Sequence, residues 1–177
     1  MGDSLITVVA IFLAAILMFV FPLMTMADRT DDISNLAVQT ATSEFVDDVR
    51  TTGKITLDDY DAYLSELTAT GNTFDVDVLI QQLDENPGVK TTQAEATKIG
   101  ENLYYNIYTT QVEEMLYDKG RITIKEGDLV TVTAKNTNQT ISQMLRNFFY
   151  TISGNSEYNI AGQATGVVAV NGSTSQK

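Results

Sequence analysis

The residues of this chain that could do chemistry are carboxylates. Asp58, Asp59 and Asp61 form one cluster, and Asp75 stands two positions before Asp77. Two acids on one strand face are an arrangement that a glycosidase or a calcium ion can use. The same acids also suit a helix N-terminus, where the dipole favours negative charge, and the wet face of a half-buried strand. We favour this structural interpretation, because solvated acids are common on protein surfaces.

The chain lacks the residues that most other catalytic mechanisms require. The 177 residues include no histidine and no cysteine, which removes the commonest general base, the thiol nucleophile and zinc–thiolate ligands. The sequence has no phosphate-binding glycine loop, no dinucleotide fingerprint and no serine-hydrolase motif. A net charge of −12 disfavours contact with nucleic-acid phosphates. We therefore predict that the chain is not an enzyme, that it binds no cofactor or metal, and that nucleic acid is not a partner.

The dominant element is an apolar segment near the start of the chain. Residues 5–24 are 20 consecutive positions without a charge. As a helix they would cover about 30 Å, which is the thickness of a bilayer's hydrocarbon core. Backbone polar groups in lipid must be satisfied within the segment, which requires a helix. Pro22 lacks an N–H, so we expect a kink or a locally opened turn there.

Three interpretations of this segment are open. A cleavable secretory signal is disfavoured, because no basic residue precedes the apolar run and the run is long. A plain single-span membrane anchor fits its length. The third interpretation is the packed core of a filament. The sequence that follows favours it, since a membrane-length helix continues there into an amphipathic one.

This continuation covers residues 28–52. It contains no glycine or proline, and its apolar residues recur with the i, i+3, i+4 spacing of one helix face. We predict a single helix from about residue 4 to 52. Its predicted assembly surface consists of Leu5, Val8, Val9, Phe12, Ala14, Ala15, Met18, Phe19 and Pro22. Its predicted contact with the chain's own domain consists of Ile33, Leu36, Ala37, Ala41, Phe45 and Val49.

The rest of the chain predicts a small α+β domain of antiparallel sheet with short helices. Alternating apolar residues indicate a strand at 73–83, and further strands are expected at 121–125, 129–135 and 158–170. Helices are expected at 57–70, in the second half of 103–119, and at 141–149. The predicted organisation is a membrane or filament-core helix at 1–27, its amphipathic continuation at 28–53, a globular domain at 54–170 and a flexible tail at 171–177.

Several strings give the chain a family resemblance. Besides the apolar start they are RTTGKIT at 50–56, ATGNTFDV at 69–76, KEGD at 125–128 and QMLRNFF at 143–149. With these, the chain resembles the TadE-type, type IV pilin-like proteins of tight-adherence (Flp) pilus and type II secretion-like loci in Gram-positive bacteria. Pro22 fits the resemblance. The chain departs from the usual prepilin pattern in having no glutamate within residues 5–24 and no basic residue before Leu5.

The resemblance implies a structural role. It predicts a subunit of a type IV-like surface filament that polymerises through its apolar helix, with other copies of itself as partners. It also implies storage in the bacterial membrane as a single-pass protein, contact with pilus or secretion machinery, and a final place on the cell surface. The alternative is a single-span, membrane-anchored binding or adaptor protein outside the cytoplasm that does not polymerise.

Overall fold

The computed structural model describes residues 2–84, 104–150 and 160–172. Its helices are α1 (Gly2–Thr52), α2 (Leu57–Ala69), α3 (Thr109–Lys119) and α4 (Ile141–Tyr150). Its strands are β1 (Lys54–Thr56), β2 (Phe74–Leu83), β3 (Tyr104–Ile107), β4 (Arg121–Thr123), β5 (Leu129–Asn136) and β6 (Ala161–Val167). The predicted α+β class is confirmed. Residues 85–103 and most of the tail predicted at 171–177 lie outside the described residues.

Helix α1 has 51 residues and is assigned without a break through Pro22. It ends at a glycine for a geometric reason. Gly53 has a φ of 65°, and its N–H donates to the carbonyl of Val49 at 2.8 Å. A Cβ at Gly53 would lie 2.2 Å from the carbonyl oxygen of Val170. Only glycine combines this backbone angle with so close a passage of the C-terminal segment.

The main sheet has four antiparallel strands in the order β3-β2-β5-β6. Side chains that alternate along the strands divide it into a buried face and an outer face. The buried face carries Val78 and Ile80 of β2 with Val130 and Val132 of β5, all at most 1% exposed. The second half of α1 lies across this face, over β5 and β6.

Two glycines of β6 bring α1 close to the sheet. A Cβ at Gly162 would lie 2.9 Å from both the carbonyl oxygen of Val38 and the hydroxyl of Thr42. A Cβ at Gly166 would lie 2.0 Å from the Arg50 side chain. Both positions break the apolar alternation of the strand. Gly162 lets the helix backbone approach the strand, and Gly166 leaves room for the Arg50 side chain.

The segment 121–135 differs from the strand–turn–strand unit that the sequence suggests. Both strands form, but β4 pairs with β1, and β5 pairs with β2 and β6. The buried carboxylate of Asp128 explains the parting of the strands. It accepts hydrogen bonds from the backbone N–H of Lys125 at 3.0 Å and of Leu83 at 2.9 Å. These bonds hold the turn against the end of β2, so β5 enters the four-stranded sheet.

Helix α2 packs on α1 through aromatic rings. Phe45 stacks on Tyr63 with ring centroids 4.6 Å apart and also contacts Tyr60 at 6.4 Å. The Tyr63 hydroxyl shares a hydrogen bond with Thr42 at 3.0 Å, and the Tyr60 hydroxyl donates to Glu113 of α3 at 3.1 Å. Burial is the main cause that raises the pKa of each phenol above its ordinary value, and the Glu113 carboxylate raises the pKa of Tyr60 further.

Because the pKa values of Tyr60 and Tyr63 are raised in the folded state, we expect the folded protein to lose stability at alkaline pH. Above about pH 10 the unfolded chain releases the two phenolic protons while the folded chain retains them. The free energy of unfolding should therefore fall as the pH rises beyond that point, with no such contribution below it. Urea unfolding at a series of pH values would measure the slope. Tyr60→Phe removes one titrating group and should make the decline shallower; an unchanged slope would contradict this origin.

Candidate assembly surface

The apolar half of α1 stands bare on the described structure. The six large apolar residues predicted for assembly are 56–78% exposed, and Ala14, Ala15 and Pro22 are exposed with them. The six are Leu5, Val8, Val9, Phe12, Met18 and Phe19. Such a long apolar surface is not stable in water, so another apolar environment must cover it.

The length and composition of α1 fit a membrane. Among the described residues it is the one helix that is long and apolar enough to cross a bilayer, and none of its most apolar stretch is buried inside the fold. A core helix of a soluble domain would be mostly buried. Full burial in α1 begins at Asp31, and before it only a few positions are half-buried, so most of the apolar part projects from the domain.

The face of α1 that packs on the domain differs from the predicted one. Ala41, Phe45 and Val49 are buried in the core, at 2–6% exposure. The prediction is wrong for Ile33 and Leu36, which are 70% and 66% exposed, and for Ala37, which is also exposed. These three lie on the side of the helix that points away from the sheet.

Polar residues take the buried positions instead. They are Asp31, Ser34 and Thr42, all at most 5% exposed, with Val38 between them. Asp31 accepts a hydrogen bond from Thr140 at 2.7 Å, and Thr42 donates to the carbonyl of Val38 at 2.7 Å. Because Asp31 and Thr42 have hydrogen-bond partners, their burial costs little. Sequence reasoning missed this face because Thr140 is 109 residues away from Asp31.

Helix α4 is fastened to α1 at the point where the apolar segment ends. Thr140 precedes α4 and donates to Asp31, and Ser142 in its first turn donates to Asp28. The backbone N–H of Gln143 donates to Thr140 at 3.2 Å, and the Gln143 side chain accepts from the Thr140 N–H at 3.1 Å, which forms a capping box. Both aspartates lie near the N-terminus of α4, where its dipole favours them.

The carboxylates considered for chemistry lie where the structural interpretation places them, at a helix start and on an exposed strand face. Asp59 accepts from the Thr56 backbone at 3.3 Å and caps α2. Asp75 and Asp77 are exposed on the outer face of β2, opposite Lys135 and Thr133 of β5. Within the described residues no group of three or more acids is placed to hold a metal ion.

No protein-family model, characterised protein or solved structure matches this chain. Its function therefore has to be inferred from the surface of α1. That surface has two parts. One is the bare apolar segment, and the other is the outward patch of Ile33, Leu36 and Ala37, which we call the outer patch.

Proposed function

We propose that this chain is a structural subunit of a type IV-like surface filament, and that it is stored in the membrane by α1 before assembly. The observation that carries the proposal is the outer patch. Ile33 and Leu36 are about as exposed as the residues of the membrane-length segment, yet they lie beyond it. An anchor that only holds a domain on a membrane has no use for them.

Distance along the helix separates the outer patch from the lipid. If the hydrocarbon core covers residues 5–24, Ile33 and Leu36 lie about 13 and 18 Å past its edge. Asp28, Arg29 and Asp32 stand between and mark the water boundary. Lipid tails therefore do not reach the outer patch. The apolar helix of another copy, displaced along the filament axis, supplies the missing cover.

The mechanism is an exchange of one apolar environment for another. In the membrane lipid solvates α1, and after extraction the helices of neighbouring copies pack against it. Each buried apolar side chain contributes about 1.5 to 3 kcal/mol, so ten such contacts can hold a polymer together. Ala10, Ala14 and Ala15 allow close approach of helices. Because the contact joins two different surfaces of the chain and does not close, it produces an open helical array.

This proposal includes the chain's partners and location. Copies of itself are the main partners, pilus or secretion machinery extracts it, and the assembled product lies on the cell surface. The competing proposal is a single-span adaptor that never polymerises. The bare segment at 5–24 serves both functions equally well, whereas the outer patch has a use in the filament and none in a protein that is only anchored.

Leu36→Glu separates the two proposals. The side chain is 66% exposed, so the substitution should leave the thermal melt of the protein and its recovery in the membrane fraction unchanged. In a filament the new carboxylate would be buried against a neighbouring copy without a partner, which costs several kcal/mol. We expect at least a tenfold drop in filaments sheared from the cell surface and measured by electron microscopy.

Leu36→Met is the matched control, because it keeps an apolar side chain of similar volume and should preserve assembly. Normal filament yield from the Leu36→Glu chain would show that the outer patch makes no subunit contact. The plain-anchor proposal would then be preferred.

A further inference from the structure

Helix α4 begins beside the part of α1 that follows the apolar segment. Thr140 and Ser142, at the start of α4, donate hydrogen bonds to Asp31 and Asp28. Asp28 and Asp31 lie about 6 and 10 Å beyond Met24 along α1. The headgroup layer of a bilayer extends about 5 to 8 Å on each side of the hydrocarbon core. A protein held in a membrane by residues 5–24 therefore has the start of α4 at the headgroup layer.

The direction of α4 takes it toward the membrane. Thr140 contacts Asp31, and two residues later Ser142 contacts Asp28, so the chain moves toward the N-terminal end of α1 as α4 begins. Val20, Met24 and Ala27 are half-buried, whereas most of their neighbours in the apolar segment are exposed. At 100° per residue they share the side of α1 that carries Asp28 and Asp31. This burial agrees with an α4 that continues along α1 below Asp28.

Helix α4 presents apolar side chains that the described fold leaves uncovered. Ile141 is 64% exposed and Met144 is 50% exposed. The sequence continues with apolar residues at 145, 148 and 149, which is the spacing of one helix face. A short helix with one apolar face can place that face in the boundary between the lipid headgroups and the acyl chains.

We propose that α4 is a second membrane-contacting element, whose Ile141 and Met144 side enters the headgroup layer of the bilayer that α1 spans. The inference rests on the membrane-stored state of the proposed function. By sequence, Asp28, Asp31 and Asp32 outnumber Arg29 and Arg146 in this region, so we take the contact to be apolar and not to require anionic lipid. Two points of contact hold the domain at a fixed tilt and rotation about α1 before assembly.

The test uses the absence of native cysteine. Met144→Cys in the full chain is labelled with an environment-sensitive fluorophore and reconstituted in phosphatidylcholine vesicles without bromine, with lipid brominated near the top of the acyl chains, or with lipid brominated at mid-chain. Phe12→Cys reports the spanning segment. Tyr117→Cys is the exposed control on α3, which packs on β4 at the far end of α1. We expect the labels at 144 and 12 to emit at shorter wavelength than the label at 117, and to be quenched by brominated lipid.

Each other outcome has a separate meaning. Quenching at 12 with water-like emission at 144 would overturn the α4 contact and leave the anchor intact. Emission at short wavelength without quenching at 144 would show that protein, such as a second copy, covers α4, and this also overturns the proposal. Absence of quenching at 12 would contradict the membrane-stored state, and with it both the inference and the proposed function. Ile141→Cys should repeat the result obtained at 144.

Discussion

Ala14→Glu should abolish filaments. Ala14 lies in the middle of the bare apolar segment and is exposed on the isolated chain. In a filament the new carboxylate would be buried among neighbouring helices, and in the membrane it would lie near the bilayer centre. Either place costs about 3 kcal/mol or more for an unpaired charge, in every copy. We expect electron microscopy of sheared surface material to show filaments for the wild-type chain and none for the variant.

Ser65→Glu is the control for charge alone. It adds the same carboxylate at an exposed position of α2, away from the apolar segment, and should leave filament yield unchanged. If Ala14→Glu still gives normal filaments, α1 is not in a packed core. The chain would then be a plain anchor or an adaptor.

Phe45→Asp should destabilise the domain. Phe45 is 6% exposed and lies between α1 and α2, stacked on Tyr63 at 4.6 Å. The substitution removes the aromatic packing and buries an unpaired carboxylate, at a cost of about 4 kcal/mol or more. This is a large part of the 5 to 15 kcal/mol that is typical of small domains, so Tm should fall by about 10 °C or more. A thermal melt of the fragment that begins at Asp28 measures it.

Ile33→Asp is the matched control on the same helix. It introduces the same charge in place of a large apolar residue, but at a side chain that is 70% exposed. Its Tm should stay within about 3 °C of the parent fragment. The fragment should fold, because none of residues 4–30 is fully buried in the described fold. Equal losses from both substitutions would mean that the outer patch also packs on the domain.

Sequence periodicity was sufficient to predict α1 and several elements of the domain. The unbroken run to Thr52 and the capping residues Thr56 and Asp59 indicate where α1 ends and α2 begins. Alternation in β2 identifies its buried side, since Val78 and Ile80 are both in the core. These signals are local, so a single sequence contains them.

The buried face of α1 could not be predicted in the same way. Ala41, Phe45 and Val49 of the predicted face are in the core, but the buried side turns away from Ile33 and Leu36 toward Val38 and Val46. The observed buried face includes Asp31, which is hydrogen-bonded to Thr140, and Thr42, which is hydrogen-bonded to Tyr63. Only the folded chain brings such distant partners together.

Strand pairing is a second feature that could not be predicted from the sequence. β1 and β3 have three and four residues, which is too short for a periodic signal. β4 pairs with β1 across more than sixty residues of chain instead of with its neighbour β5. Gly162 and Gly166 suggest an interrupted strand in the sequence, and their packing role becomes evident only from the close approach of α1.

The proposed function requires that copies of this chain polymerise through α1. Immunogold electron microscopy of filaments sheared from the native cell surface, with an antibody to the folded domain, tests it most directly. We expect gold particles along the length of the filaments, and mass spectrometry of the purified filaments should identify this chain. Filaments without label, with the chain recovered only as a monomer in the membrane fraction, would contradict the claim.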